Sequence, residues 1–254
     1  MIGSVTALVL TYNEAPNIGR TLEKLSWTKE IVVVDSFSTD ETLDIVKKCP
    51  QARIIQRNFD DHTSQWNFGL DNVRTDWVLS LDADYVLTDE LVEEIQLSKS
   101  ENGTAAYFAR FIYCLSGRRL RGTLYPPRAV LFRRELCRYE PDGHTQLLKI
   151  SGKTDSLSAP ILHDDRKPLD RWLQEQSRYA RIEAEHLLKT SAAQLNLADR
   201  LRRKIVIAPF LVFFYTLIFK GLILDGWPGF HYVLQRTVAE VLLSLKLIEE
   251  KLKK

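Results

Sequence analysis

The sequence predicts an α/β fold: a mostly parallel, Rossmann-like sheet flanked by helices over residues 1–165, followed by a C-terminal helical region over 166–254. Three observations predict it. Short β-branched or aliphatic runs alternate with helical patterns through the first hundred residues, as crossover connections between parallel strands require. One of those runs, EIVVVD at 30–35, is apolar on both faces, as a strand covered on both sides must be. Beyond residue 165 the stretches 169–188 and 230–252 carry their apolar residues at helical spacing.

The elements follow in order. Residues 5–10 read as a strand, and 17–25 as the helix after it, with Ile18, Leu22 and Leu25 at helical spacing. Glu30–Asp35 is the second strand, and 38–49 a helix opened by Ser-Thr-Asp capping chemistry. Ala52–Gln56 is the third strand, 63–73 the next helix, and 77–81 (WVLSL) a fourth strand running into Asp82-Ala83-Asp84. From 105 to 150 the pattern is mixed, with AAYFARFIYCL, RAVLFRR and LLKISG as short strands joined by Gly-Pro-rich loops, notably 123–128. Residues 169–188 carry Leu169, Trp172, Leu173, Tyr179, Ala180, Leu187 and Leu188 on one helical stripe, which predicts a core-packing helix. Residues 230–252 close the chain as an amphipathic helix.

The segment 205–224 (IVIAPFLVFFYTLIFKGLIL) stands apart. Twenty helical residues would span about 30 Å, the thickness of a bilayer's hydrocarbon core, but Pro209 and Lys220-Gly221 interrupt the run. Arg200, Arg202, Arg203 and Lys204 precede it, and Trp227 and Tyr232 follow. A basic flank with interfacial aromatics suits an anchor lying in or dipping into the cytoplasmic leaflet. A buried core helix and a dimer interface are the competing readings.

Composition bounds the function. The 254 residues, 45% of them hydrophobic, can bury a substantial core. Lys and Arg number 35 against 33 Asp and Glu, so the net charge of +2 gives no overall pull toward nucleic acid. Cys49, Cys114 and Cys137 lie far apart, with neither metal-ligand spacing nor a disulfide framework, and this fits a reducing compartment. The N-terminal stretch lacks the basic start and small-residue cleavage site of a secretory signal, so the sequence predicts a domain that stays in the cytoplasm.

Three polar clusters fall at successive strand ends: Thr11-Tyr12-Asn13-Glu14, then Asp35 to Asp40, then Asp82-Ala83-Asp84. In open α/β sheets ligands sit beyond the carboxyl ends of the strands, so these loops are expected to converge on one crevice. A lone D-x-D is ordinary turn chemistry. At the tip of a buried strand it is also a donor set for Mg²⁺ or Mn²⁺, which takes one or two carboxylates plus substrate phosphate oxygens. Asp40 is assigned to the start of the following helix.

The strings TYNE, VVDSFSTDET and LDAD resemble the signatures of family-2 glycosyltransferases of GT-A fold, in particular the bacterial branch containing lipopolysaccharide-core β-glucosyltransferases. The resemblance is strong over residues 4–90 and traceable to about residue 180 through YPPR, PDGHTQLL and LHDDRK…RWLQEQSRYA. It implies a nucleotide-sugar half over 1–100 and an acceptor half over 101–165. It further implies that Thr11, Tyr12, Asn13, Glu14 and Asp35 hold the nucleoside. Asp82, with Ala83 beside it, would meet the ribose or the metal, and Asp84 would ligate the metal bridging the diphosphate. Gln65 is a candidate to approach the nucleotide, with a packing role equally open, and Arg128 in the YPPR loop is a candidate for a phosphate.

His163-Asp164-Asp165-Arg166 either caps the next helix or closes over the diphosphate, with His163 as a metal ligand. An inverting transfer needs a base for the acceptor hydroxyl. Where the resembling branch reads His-Glu, this chain has His144-Thr145, so the base is assigned to Asp142 first, with His144 and Glu140 as alternatives. The expected reaction moves a hexose from a nucleotide-diphosphate sugar, a UDP-sugar foremost, to a lipid-linked saccharide at the cytoplasmic face of the bacterial inner membrane. A polyprenyl-phosphate glycosyltransferase and a catalytically silent nucleotide-sugar-binding or membrane-scaffold protein are the alternatives. A nucleotidyltransferase is disfavoured because no Gly-rich phosphate loop opens the fold.

Overall fold

The computed structural model describes residues 4–98, 103–142, 145–191 and 193–253. Four strands, β1 (Val5–Thr11), β2 (Glu30–Asp35), β3 (Ala52–Gln56) and β4 (Trp77–Asp82), pair in parallel in the order β4-β1-β2-β3. The crossovers are α1 (Ile18–Glu23), α2 (Thr42–Val46) and α3 (His62–Asp71). Alternation sorts their side chains into two cores. Val5, Ala7, Val9, Ile31, Val33, Leu79 and Leu81 face Ile18, Leu22 and Leu25. Leu8, Val32, Val34 and Val78 face Trp66 and Leu70 of α3. That helix lies close on the sheet, since a Cβ at Gly69 would stand 2.6 Å from Leu8 Cδ1.

The chain continues through β5 (Tyr85–Leu87), α4 (Asp89–Leu97), β6 (Thr104–Ala109), β7 (Phe111–Leu115), β8 (Arg118–Arg119), β9 (Arg128–Arg133), β10 (Cys137–Asp142), β11 (Thr145–Ile150), β12 (Lys153–Ser156) and β13 (Ile161–His163). The main sheet has seven strands in the order β12-β6-β9-β4-β1-β2-β3, with β9 antiparallel to both β4 and β6. A second sheet runs β5-β13-β7-β8, and β10 with β11 forms a hairpin.

Register brings the loops level. Thr11 pairs with Asp35 and Leu10 with Asp82, so β1, β2 and β4 end side by side. The helix expected over 38–49 is shorter, because its intended first turn is engaged elsewhere: Ser38 N donates to Asp35 Oδ2 and Thr39 N to Asn13 Oδ1. Asp40 accepts from Thr42 N at 3.0 Å at the start of α2 and from Ala15 N at 3.2 Å. All three cysteines are free, and burial pushes the Cys114 thiol up to about 11 and that of Cys137 up to about 12.

Two compact units divide the chain: Met1–Arg119 with Tyr125–Arg166, and Leu120–Leu124 with Lys167–Lys254. The short segment 120–124 belongs to the helical unit, where Leu124 N donates to Tyr232 Oη and Arg121 N to Asp225 Oδ2. That unit contains α5 (Leu169–Lys189), α6 (Leu197–Arg202), α7 (Ile207–Phe214) and α8 (Gly226–Leu252). Its core is Ala180, Ala184 and Leu187 against Leu243 and Leu247. Arg202 closes it with ion pairs to Glu240, Asp199 and Glu183 at 2.9, 3.3 and 3.5 Å.

The apolar segment 205–224 is not the continuous helix that its length suggested. Pro209 is accommodated in the first turn of α7, where its missing N–H costs no helix bond. Thr216 Oγ1 then donates back to Val212 O at 2.7 Å, the helix widens into a π turn over Tyr215–Phe219, and Gly221 at φ 71° ends it. A 3₁₀ turn, Leu222–Asp225, leads into α8. Among the described residues no single helix is long and apolar enough to cross a membrane, but the pair Ile207–Phe219 and Leu222–Leu252, bent by 68°, satisfies length and composition together.

Candidate active site

At the end of β2, Asp35 is wholly buried and its carboxylate is held by four donors. Thr11 Oγ1 and Ser38 Oγ reach Oδ1 at 3.1 and 2.5 Å, and Ser38 N and Gln56 Nε2 reach Oδ2 at 2.9 and 3.1 Å. A buried charge requires such pairing. Its oxygens are therefore engaged within the protein, and a nucleobase donor would share them. Asn13 adopts φ 54°, donating its N–H to Ser38 Oγ at 2.8 Å, while Glu14 N donates to Thr42 Oγ1 at 2.7 Å. Glu14 Oε2 accepts from Asn17 Nδ2 at 2.9 Å, so this carboxylate faces α1.

Phe37, which the sequence reading passed over, sits at φ 60° with its ring exposed, and Tyr12 on the neighbouring loop is exposed as well. A bulky residue at positive φ stores strain that surrounding structure must hold, and such positions cluster at binding sites. Gln65 is buried on α3, donating to Ser36 Oγ at 3.0 Å and accepting from Arg57 Nη1 at 2.7 Å. It braces the loop one residue beyond Asp35.

Asp82 is the last residue of β4. Ala83 O accepts from Thr21 Oγ1 at 2.7 Å, and Asp84 O from Asp164 N at 3.1 Å, so backbone bonds fix the turn from both sides. Asp84, buried, holds Oδ2 3.2 Å from His163 Nε2, because β13 runs antiparallel to β5 with His163 opposite Tyr85. The imidazole is boxed by Tyr85, Tyr113 and Tyr125 with ring centroids 5.2, 4.8 and 4.9 Å away. The Tyr85 and Tyr125 hydroxyls are hydrogen-bonded to each other, and burial raises both phenols, with the Asp82 charge adding to it, so both stay neutral. Arg128 Cζ lies 4.6 Å over the Tyr125 ring. Burial pulls the guanidinium down, but the two phenols and Asp82 outweigh it and leave it raised and cationic.

The acceptor-side residues divide. His144 lies outside the described residues, as does the side chain of Asp142, whose backbone pairs with Thr145 at the tip of the β10–β11 hairpin. The hairpin is anchored by Asn67, which exchanges two hydrogen bonds with the Tyr139 backbone at 2.9 and 3.1 Å, and by Trp66 stacked on Tyr139. Glu140 pairs with Lys149 at 2.8 Å across the hairpin.

The 163–166 cluster corrects one expectation. It caps no helix, since α5 begins after Pro168 without a side-chain cap. Asp164, buried, takes Arg20 at 2.7 Å, Arg166 at 2.9 Å and Gly117 N at 3.0 Å, and Asp165 takes Asn17 Nδ2 at 2.9 Å. Four residues therefore tie β13 to α1 and leave His163 facing Asp84. Sequence spacing carried no signal for Arg20 or Asn17, because their partners lie far along the chain.

Among the described residues no group of three His, Cys, Asp or Glu side chains forms a metal cage. What the strand end offers is a buried carboxylate touching an imidazole, with Asp82 beside it. Those donors fit an Mg²⁺ or Mn²⁺ ion whose remaining ligands come from phosphate and water, and the imidazole suits Mn²⁺. His163 Nδ1 is buried without a hydrogen-bond partner.

The sequence model described as glycosyl transferase family 2 matches residues 6–159, more than half of the chain. The chain belongs to glycosyl transferase family 2. An uncharacterized glycosyltransferase of Rickettsia conorii, RC0292, is 32% identical over 106 residues, 41% of this chain, and the match spans only 37% of that relative. Similarity runs further along the chain with the lipopolysaccharide core biosynthesis glycosyltransferase LpsC of Rhizobium meliloti, 24% identical over 262 aligned residues that cover 96% of this chain and 92% of that one. Among solved structures, S. aureus TarS 1-349 in complex with UDP-GlcNAc superposes with a TM-score of 0.52 at 16% identity, covering 99% of this chain and 92% of that one. These likenesses place the family-2 chain in the GT-A fold, with the acidic tip of β4 at the end of its sheet.

Proposed function

We propose that this family-2 glycosyltransferase moves a hexose, with inversion, from a UDP-sugar to a lipid-linked saccharide in lipopolysaccharide-type envelope glycan synthesis at the cytoplasmic face of the bacterial inner membrane. The observation that carries the reading is the level ending of β1, β2 and β4, with Asp84 against His163 at the tip. The name of the Rhizobium relative, similar along nearly the whole chain, supports the acceptor class, and the UDP-GlcNAc bound to TarS supports the donor class.

In this reading Tyr12, Asn13, Glu14 and Phe37 shape the nucleoside pocket around the Asp35 brace, with Gln65 behind it. Asp84, Asp82 and His163 hold Mg²⁺ or Mn²⁺, which when bound supplies positive charge against the leaving diphosphate. Arg128, cationic and stacked on Tyr125, offers a planar fork to phosphate oxygens. The acceptor hydroxyl attacks the anomeric carbon from the face opposite the diphosphate, its proton passing to Asp142 or His144 as the carbon–oxygen bond to the diphosphate breaks.

A thermal-shift panel of UDP-, GDP- and ADP-sugars with Mn²⁺ tests the donor. A donor at a hundred times its Kd adds about 2.7 kcal/mol to the native state, a rise of several degrees. The UDP-sugar is expected to give that rise with Mn²⁺ and a smaller one with chelator; a panel flat for all three donors overturns the reading. For the base, Asp142→Asn is expected to lower transfer by roughly 10²- to 10⁴-fold while the UDP-sugar shift persists. Unchanged turnover removes Asp142 and leaves His144.

A further inference from the structure

The helical unit exposes an apolar elbow. Phe210, Phe214 and Ile218 repeat every four residues along one side of α7 and its π turn, and Phe219, Leu224 and Trp227 continue the surface around the bend. Phe219 is 79% and Trp227 86% exposed, values that a side chain packed inside its own fold does not have. The inward side is occupied by Ala208, Thr216 and Leu222, so the solvent face of this segment carries no polar stripe. Contiguous exposed apolar surface of this kind marks a docking face.

Charge identifies the occupant. Residues 200–224 contain Arg200, Arg202, Arg203, Lys204 and Lys220 and no Asp or Glu. Arg202 is ion-paired with Glu240, Arg203 donates to the carbonyls of Leu187 and Thr190, and Arg200 donates to those of Leu195 and Ala193, which leaves Lys204 and Lys220 as the cations of this edge. A second copy docked face to face would set these cations against their own equivalents. An anionic leaflet neutralises them, with each basic residue near such a surface contributing about 1 kcal/mol. Depth is limited by geometry. From Ile207 to Phe219 the helix is roughly 20 Å long, against about 30 Å of hydrocarbon, and the following helix turns away by 68°.

We propose that the elbow 206–227 is a bilayer-docking surface that seats Phe219, Leu224 and Trp227 in the headgroup and upper acyl region of an anionic leaflet without crossing it. The inference concerns the helical unit and stands independently of the donor and acceptor assigned above.

Vesicle flotation of the full chain tests it, using phosphatidylcholine alone and phosphatidylcholine with about a third phosphatidylglycerol. The chain is expected to float with the anionic vesicles, less so as salt rises. Phe219→Glu with Trp227→Glu is expected to cut the bound fraction on the order of tenfold or more. Lys204→Gln with Lys220→Gln, which leaves the apolar face intact, is expected to weaken binding to the anionic vesicles and flatten its salt dependence. A cooperative thermal unfolding transition retained in both variants shows that they are folded. Failure of the wild-type chain to float with either vesicle overturns the proposal, as does unchanged flotation of the Phe219/Trp227 variant. A dimer in light scattering that this variant dissociates, without change in vesicle binding, assigns the face to a second copy instead.

Discussion

Replacing Asp84 by Asn is expected to lower glycosyl transfer by roughly 10²- to 10³-fold, the loss typical when a single group that stabilises developing transition-state charge is removed. The amide keeps the shape but not the charge. Asp84 is buried, touches His163 Nε2 at 3.2 Å, and lies in a turn held by Thr21 and Asp164 through backbone bonds that the substitution leaves in place. The fold should persist while the cation site weakens. Titration of activity with Mn²⁺ is the measurement: the half-saturating concentration should rise steeply, and excess Mn²⁺ should restore only part of the turnover. A variant within threefold of the parent at ordinary Mn²⁺ would remove Asp84 from the metal and return the D-x-D to ordinary turn chemistry.

Asp164→Ala is expected to be the most damaging single change to stability, costing about 2–3 kcal/mol, because it strips the carboxylate from a pair of partly exposed guanidinium groups and leaves them facing each other. Burial already pulls Arg20 below its usual range, with Arg166 adding to that pull and Asp164 opposing it. Without Asp164 only the more weakly acting Asp84 and Asp165 still oppose that pull. Gly117 N loses its acceptor as well. Arg166→Met, at a side chain 44% exposed, should cost only about 1 kcal/mol or less. Urea midpoints of the two variants and of Asp164→Leu with Arg20→Met discriminate. The double variant should recover much of the loss if the cost comes from unpaired buried charge. A loss under about 1 kcal/mol for Asp164→Ala would show that the network is not what ties β13 to α1.

Continuous β-branched runs made the parallel strands legible. Glu30–Asp35 and Ala52–Gln56 are bounded in the structure where their composition changes, and 5–10 and 77–81 each extend by one residue, to Thr11 and Asp82. The strand-end placement of Asp35 and Asp82 followed from the same runs. The helix expected from 38 failed in its first turn because Ser38 and Thr39 are bound to Asp35 and Asn13, a preference that local propensity does not record. The conformation of Phe37 was equally hidden, since positive φ is set by the ties on either side of it rather than by its own chemistry.

Sequence alone determined the α/β class, the order of the parallel strands along the chain, the acidic tip of β4 and the family, because each is written in residues that are neighbours in sequence and repeat with the period of a strand or helix. Tertiary structure decided the rest. Arg20 meets Asp164 across 144 positions of chain, segment 120–124 joins the helices rather than the sheet around it, and the apolar stretch from 205 bends where Thr216 and Gly221 let it. Those outcomes depend on which distant groups the folded backbone brings within 3 Å, and no periodicity in the sequence encodes that distance.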